Sequence, residues 1–216
     1  MPVNKEAYHQ LKTESDSKAV TLVAVSKTKP VEDILALYEL GHRDFGENYV
    51  QEMLDKASRL PKDIRWHFIG HLQSNKIKLI VPFVQLIHGV DSLKLLKAID
   101  KEGNKQGRVI DCLLQVHIAD EETKFGFDET ELQEAINEAA GLENIRIKGL
   151  MGMASFTDDF KKVRKEFRRL KELFDAYPNL QTLSMGMSSD YRIALEEGTT
   201  MLRIGSLLLG ERSPQG

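Results

Sequence analysis

Short apolar runs alternate with amphipathic helical patterns along the whole of this chain, and no other feature restricts its fold as much. Strand, helix, strand, helix in repetition specifies parallel strands joined by crossover helices. Runs of strand character begin near Val20, Asp44, Trp66, Leu86, Ile110, Ile145, Leu180 and Met201, and a set of eight closes a barrel. The sequence therefore predicts an α/β fold, a (β/α)8 TIM barrel. Val20-Thr-Leu-Val-Ala-Val25 is mostly β-branched with no polar alternation, as in a strand buried on both faces.

The intervening helices carry start and stop signals. Residues 31–41 place Ile34, Leu35, Leu37 and Tyr38 before a glycine, with Pro30 expected as the first helical residue. Residues 128–141 open with Asp-x-x-Glu and align Leu132, Ala135, Ile136 and Ala139. Thr157 is expected to cap a third helix, in which Phe160, Val163, Phe167, Leu170, Phe174 and Tyr177 recur at spacings of three and four. The opposite face of that helix holds Lys161, Lys162, Arg164, Lys165, Arg168, Arg169 and Lys171 with Glu166 and Glu172 interleaved, and reads as solvated surface.

Typical barrels of this type run to ~250 residues, so a chain of 216 with no Pro/Gly/Ser-rich linker reads as one compact domain, residues 1–216. The net charge of -3 supplies no basic field, and neither a nucleic acid nor a membrane is expected as a partner. The single cysteine, Cys112, sits in an apolar strand and acts as a small hydrophobe. No signal-length apolar stretch opens the chain, and no run has the length of a membrane span, so a cytoplasmic location is expected. The G-x-S-x-G elbow, the Walker lysine loop and the G-x-G-x-x-G fingerprint are all missing, which removes three enzyme classes. His67 and His71 are four apart, but Gly70 and the surrounding alternation put His67 on a strand, and no metal site is expected.

Chemistry-bearing residues collect where strands give way to loops, the face on which such barrels build their sites. Lys27 follows the first strand. An amine partly withdrawn from water has a depressed pKa and condenses with aldehydes; a solvated strand-end lysine is the alternative. Ser184-Met-Gly-Met-Ser-Ser-Asp190 follows the seventh strand and Arg203-Ile-Gly-Ser206 the eighth, and Gly186, Ser188, Ser189, Gly205 and Ser206 suit a phosphate cradle on that pair of strands. Arg203 directed into the barrel mouth requires an acceptor. A pyridine nitrogen of a ligand and a structural carboxylate, Glu47 or Glu211, are the two candidates. Asn48 is placed either to cap the next helix or to hydrogen-bond a ligand.

Taken in order, Val23-Ala-Val-Ser-Lys-Thr-Lys-Pro30, Phe45-Gly-Glu-Asn-Tyr-Val-Gln-Glu52, Trp66-His-Phe-Ile-Gly70, Leu72-Gln-Ser-Asn-Lys76, Lys148-Gly-Leu-Met151, Ser184-Met-Gly-Met-Ser188 and Arg203-Ile-Gly205 closely resemble the pyridoxal phosphate homeostasis protein family, the YggS/PROSC family. The resemblance covers about residues 20–212; the first nineteen match poorly and read as a short, variable helix. It implies a pyridoxal 5'-phosphate (PLP) barrel of fold-type III, similar to the N-terminal domain of alanine racemase. By that resemblance Lys27 is the Schiff-base lysine and Arg203 the residue facing the pyridine nitrogen. Ser188, Ser189, Gly205 and Ser206 match the phosphate cradle, and Asn48 a position near the cofactor.

An arginine opposite the ring nitrogen favours its unprotonated form and a weak electron sink. Racemisation also needs a second acid/base, which in alanine racemase comes from a separate β-domain, and none is expected in this chain. The expectation is a non-catalytic, monomeric carrier or regulator of intracellular PLP, with PLP-dependent apo-enzymes as possible recipients. A PLP-dependent racemase or lyase, with Tyr49, His67 or a bound water as acid/base, is the alternative. A barrel for another phosphorylated metabolite is a third reading.

Overall fold

The computed structural model of the chain describes residues 3–119 and 125–211. β1 (Thr21–Val25), β2 (Asp44–Glu47), β3 (Arg65–Phe68), β4 (Val84–Val90), β5 (Ile110–Gln115), β6 (Ile145–Met151), β7 (Thr182–Ser184) and β8 (Met201–Ile204) pair in chain order, and β8 returns to β1. The result is the closed parallel barrel that the alternation predicted. Four register pairs, from Thr21↔Met201 to Ala24↔Ile204, make the closing seam. Because alternate residues face opposite sides, Val23 joins Leu86, Leu113, Met151 and Met201 in an apolar plug inside the barrel, while Leu22 and Ala24 pack in the larger core outside it.

The outer ring consists of α1 (Lys5–Ser17), α2 (Val31–Glu39), α3 (Val50–Arg59), α4 (Ile77–Ile80), α5 (Leu93–Gln106), α6 (Glu129–Ala139), α7 (Phe160–Asp175), α8 (Tyr191–Glu196) and α9 (Ser206–Leu209). The Asp-x-x-Glu signal forms a full capping box between Asp128 and Glu131. Pro30 does not open α2; it is the N-cap, with φ -68 and an extended ψ of 160, so its fixed φ serves the entry of the chain rather than the first helical turn. Nor does Thr157 cap α7. Asp159 does so, accepting from the amides of Lys161 and Lys162, while the Thr157 hydroxyl accepts from Asp159 N at 3.1 Å. A carboxylate directly before the helix reaches both orphan amides and favours the dipole.

Two further expectations for α7 change. Phe160 is 59% exposed and leaves the apolar stripe. Glu166 is buried, not interleaved among the basic residues, and accepts from Ser155 N and Ser155 Oγ at 2.7 Å each, fastening the β6–α7 loop. Arg164 and Arg168 instead reach Glu196 and Glu197 at the end of α8, and Arg169 reaches Glu129. The poorly matching N-terminus forms α1, capped by Asn4 and anchored by buried Tyr8 and Leu11. Cys112 is fully buried, and burial pushes its thiol well above the ordinary range. Among the described residues no helix is long and apolar enough to cross a membrane.

Candidate functional site at the barrel mouth

Lys27 is the second residue beyond β1, and the backbone on either side of it is held by α3. Lys56 Nζ donates to Ser26 O at 2.7 Å, and Thr28 N donates to Glu52 Oε1 at 2.6 Å. Thr28 takes the left-handed conformation, φ +62, which costs about 1 kcal/mol for a non-glycine and persists only where the surroundings impose it. Lys56, 4% exposed, spends its other two donors on Glu47 Oε1 and Glu52 Oε1, each at 2.7 Å, and Ser26 Oγ donates to Glu47 Oε1 at 2.6 Å. Burial raises the Glu47 carboxyl above its ordinary pKa, against the pull of Lys56. Its second oxygen, Oε2, is buried without a hydrogen-bond partner. The strand end that carries Lys27 is thus set in a buried ionic clamp.

Half-buried Lys27 opens onto a cavity of about 690 Å³. The loops after β1, β2, β7 and β8 deliver Lys29, Asn48, Ser188, Ser189, Gly205 and Ser206 to the same cavity, with Arg203 from β8 itself. Lys27, Asn48, Ser188, Ser189, Arg203, Gly205 and Ser206 all line it, whereas Gly186, expected in the phosphate cradle, does not. Ser188 Oγ accepts from Gly205 N at 3.3 Å and Leu207 N at 3.5 Å, tying the two loops together around amides that also suit an anion. Gly186 enables that approach: at φ +97, an added Cβ would lie 2.6 Å from Ala194 Cβ. Asn48 does not cap α3, whose N-cap is Tyr49 without a side-chain bond, and it lines the cavity.

Arg203 is 4% exposed. Neither Glu47 nor Glu211 is its partner: Glu47 is committed to Lys56, and Glu211 meets Lys29 Nζ through its backbone carbonyl at 2.7 Å. The guanidinium donates to Ser184 Oγ at 2.6 Å and Gly152 O at 3.1 Å, both neutral. Burial lowers its pKa to about 10 against the opposing charge of Asp190, so it remains a cation near neutrality. A buried cation with neutral acceptors, at the wall of a cavity that also holds Lys27 and Lys29, fits a ligand with a ring acceptor and an anionic group. PLP has both, and an aldehyde for Lys27.

Sequence reasoning missed Lys56, Glu52 and Ser184. Their signals were present: Glu52 and Lys56 form an i,i+4 pair in α3, and Ser184 opens the β7 motif. Ile69, Met153, Phe156 and Met187 also line the cavity, and as ordinary apolar residues they carry no such signal. Tyr49 and His67, the acid/base candidates, do not line it; Tyr49 is 57% exposed and His67 is buried within the barrel.

A barrel closed in this order is the fold shared with alanine racemase. Alanine racemase of Clostridium difficile superposes with a TM-score of 0.78 at 15% identity, covering 100% of this chain and 60% of that one, which bears on the fold alone. Residues 5–213 match the model of the alanine racemase N-terminal domain, so the match takes in the first helix as well. The pyridoxal phosphate homeostasis protein of Aquifex aeolicus is 42% identical over 88% of this chain and 86% of its own, and that of Escherichia coli K12 is 36% identical over 89% and 86%. PipY of Synechococcus elongatus, solved with PLP bound, superposes with a TM-score of 0.86 at 35% identity over 95% of this chain and 99% of that one. The chain belongs to the alanine racemase N-terminal domain family and, within it, to the pyridoxal phosphate homeostasis proteins.

Proposed function

We propose that this chain binds PLP at the barrel mouth as a Schiff base on Lys27 and acts as a non-catalytic carrier and regulator of the intracellular cofactor. The observation that carries the reading is the meeting, in one cavity, of Lys27, the buried Arg203 and the Ser188–Gly205 loop pair. Lys27 would hold the cofactor through its Nζ, the aldehyde oxygen being released as water when the C=N bond forms. Arg203 donates to the ring nitrogen. Ser188, Ser189, Ser206 and the amide of Gly205 receive the phosphate, and Asn48 lies beside the cofactor. Bound PLP supplies an electron-withdrawing ring, and a permanently cationic donor at its nitrogen keeps that ring a weak sink.

In this reading residues 1–216 act as one PLP-binding barrel, with PLP-dependent apo-enzymes as recipients. Borohydride reduction followed by peptide mass mapping tests the linkage. A pyridoxyl group on Lys27 is expected; one on Lys29 or Lys76, or none, overturns the assignment.

A further inference from the structure

A buried chain of hydrogen bonds runs down the inside of the barrel from Arg203 to the N-terminal ends of the strands. Arg203 Nη1 donates to Ser184 Oγ at 2.6 Å, and Ser184 Oγ lies 3.4 Å from His88 Nδ1. His88 Nε2 lies 2.9 Å from His67 Nδ1, and His67 Nε2 lies 3.1 Å from Asp44 Oδ1. At the floor Arg65 grips Asp44 through Nε at 2.7 Å and Nη2 at 2.5 Å. Ser184 and His88 are fully buried, and His67 is 3% exposed. Strands β8, β7, β4, β3 and β2 each contribute one member.

Where both imidazoles are neutral, the ends fix the polarity. A guanidinium only donates and an ionised carboxylate only accepts. Asp44 takes the Nε2 proton of His67, which leaves neutral His67 a bare Nδ1. That lone pair accepts from His88 Nε2, and the bare Nδ1 of His88 accepts from the Ser184 hydroxyl, whose oxygen accepts from Arg203. Any other neutral tautomer sets two lone pairs against each other. Bonds aligned in this way polarise one another.

We propose that Ser184, His88, His67 and Asp44 are positioning residues for Arg203, forming one chain of single polarity that aims the guanidinium at the barrel mouth and couples its effect on the ligand to the Asp44–Arg65 pair at the floor. The effect on the ligand rests on Arg203 facing the ring nitrogen of PLP; the polarity of the chain does not.

Two measurements separate these. NMR of the ligand-free protein labelled with 15N-histidine reads the tautomers directly, and His67 and His88 should both carry the proton on Nε2 alone near neutral pH. A proton on Nδ1 of His88, or an imidazolium at either residue, overturns the chain. The absorbance spectrum and PLP dissociation constant are then compared for wild type, Arg203→Gln, Ser184→Ala, Asp44→Asn and Asp111→Asn. Asp111 belongs to an equivalent floor pair with Arg146, bonded at 2.7 Å, which does not lead to Arg203.

Ser184→Ala and Asp44→Asn should shift the spectrum in the direction of Arg203→Gln and weaken PLP binding, for Ser184→Ala on the order of tenfold, while Asp111→Asn should do neither. If Arg203→Gln shifts the spectrum and Ser184→Ala and Asp44→Asn match Asp111→Asn, the coupling fails and the PLP site stands. If Arg203→Gln itself leaves the spectrum and affinity unchanged, the reading of Arg203 fails, and the tautomers still decide the chain.

Discussion

Lys56 gives all three ammonium protons to acceptors around Lys27, and two of those acceptors are carboxylates. Lys56→Met would leave Glu47, already lacking a partner at Oε2, as an uncompensated buried charge. Breaking one half of a buried pair costs about 3–5 kcal/mol, and urea unfolding should show a loss of that size. Adding Glu47→Gln should recover much of it, because the remaining group is neutral. In the loop pair after β7 and β8, Ser188→Ala removes a hydroxyl that organises the Gly205 and Leu207 amides. A hydrogen bond to a charged phosphate is worth about 1.5–3 kcal/mol, so PLP should bind roughly ten- to a hundredfold more weakly, read by spectrophotometric titration. Pyridoxal, without the phosphate, should bind wild type poorly and be almost unaffected by the substitution.

Among the elements, α1 docks on the barrel through an aromatic run in which Tyr8 meets His42 edge-on at 5.5 Å and His42 meets Phe45 at 5.1 Å. His42 Nε2 donates to Asp44 O at 2.8 Å. Burial lowers the His42 pKa from 6.5 to about 4, against the raising effects of that carbonyl and of the Asp44 charge; Lys12 and Arg65 lower it further. Burial also holds the His88 pKa well below its ordinary value. As the pH falls below 6.5 the unfolded chain takes up a proton that folded His42 refuses until about 4, so stability is full above that window and declines through it. A span of this width corresponds to about 3 kcal/mol. Urea midpoints measured from pH 7 to pH 4 should fall, and His42→Gln, which keeps a donor for Asp44 O, should flatten part of the decline. By contrast, the exposed pairs Arg164–Glu196 and Arg169–Glu129 should each contribute little to stability.

For the whole molecule, the cavity opens at the C-terminal ends of the strands, and neither Tyr49 nor His67 reaches it. The proposed carrier should therefore form adducts with amino acids slowly, without turnover, and should release PLP by exchange with other amines. Incubation of the loaded protein with a PLP-dependent apo-enzyme behind a PLP trap is expected to restore that enzyme's activity. Chiral analysis of incubated amino acids should show no racemisation that depends on Lys27. Turnover on the order of one per second or faster would make the protein an ordinary enzyme instead.

The alternation of apolar runs and helical patterns determined the barrel, because strand and helix periods are local and a repeated strand–helix unit has few ways to bury its apolar faces. Strand-end position also made Lys27, Arg203, Ser188, Ser189, Gly205, Ser206 and Asn48 legible, since one face of a parallel barrel collects every such loop. Local signals failed where two groups of similar chemistry competed, as when Asp159 rather than Thr157 capped α7. They also failed where charge was buried. Glu166 read as surface and Glu47 as a candidate for Arg203, yet one fastens a loop and the other balances Lys56. Only the closed barrel decides such pairings, because which donor meets which acceptor depends on distances between strands far apart in sequence. Asp44, His67, His88, Ser184 and Arg203 span most of the chain, and closure alone brings them into hydrogen-bonding reach.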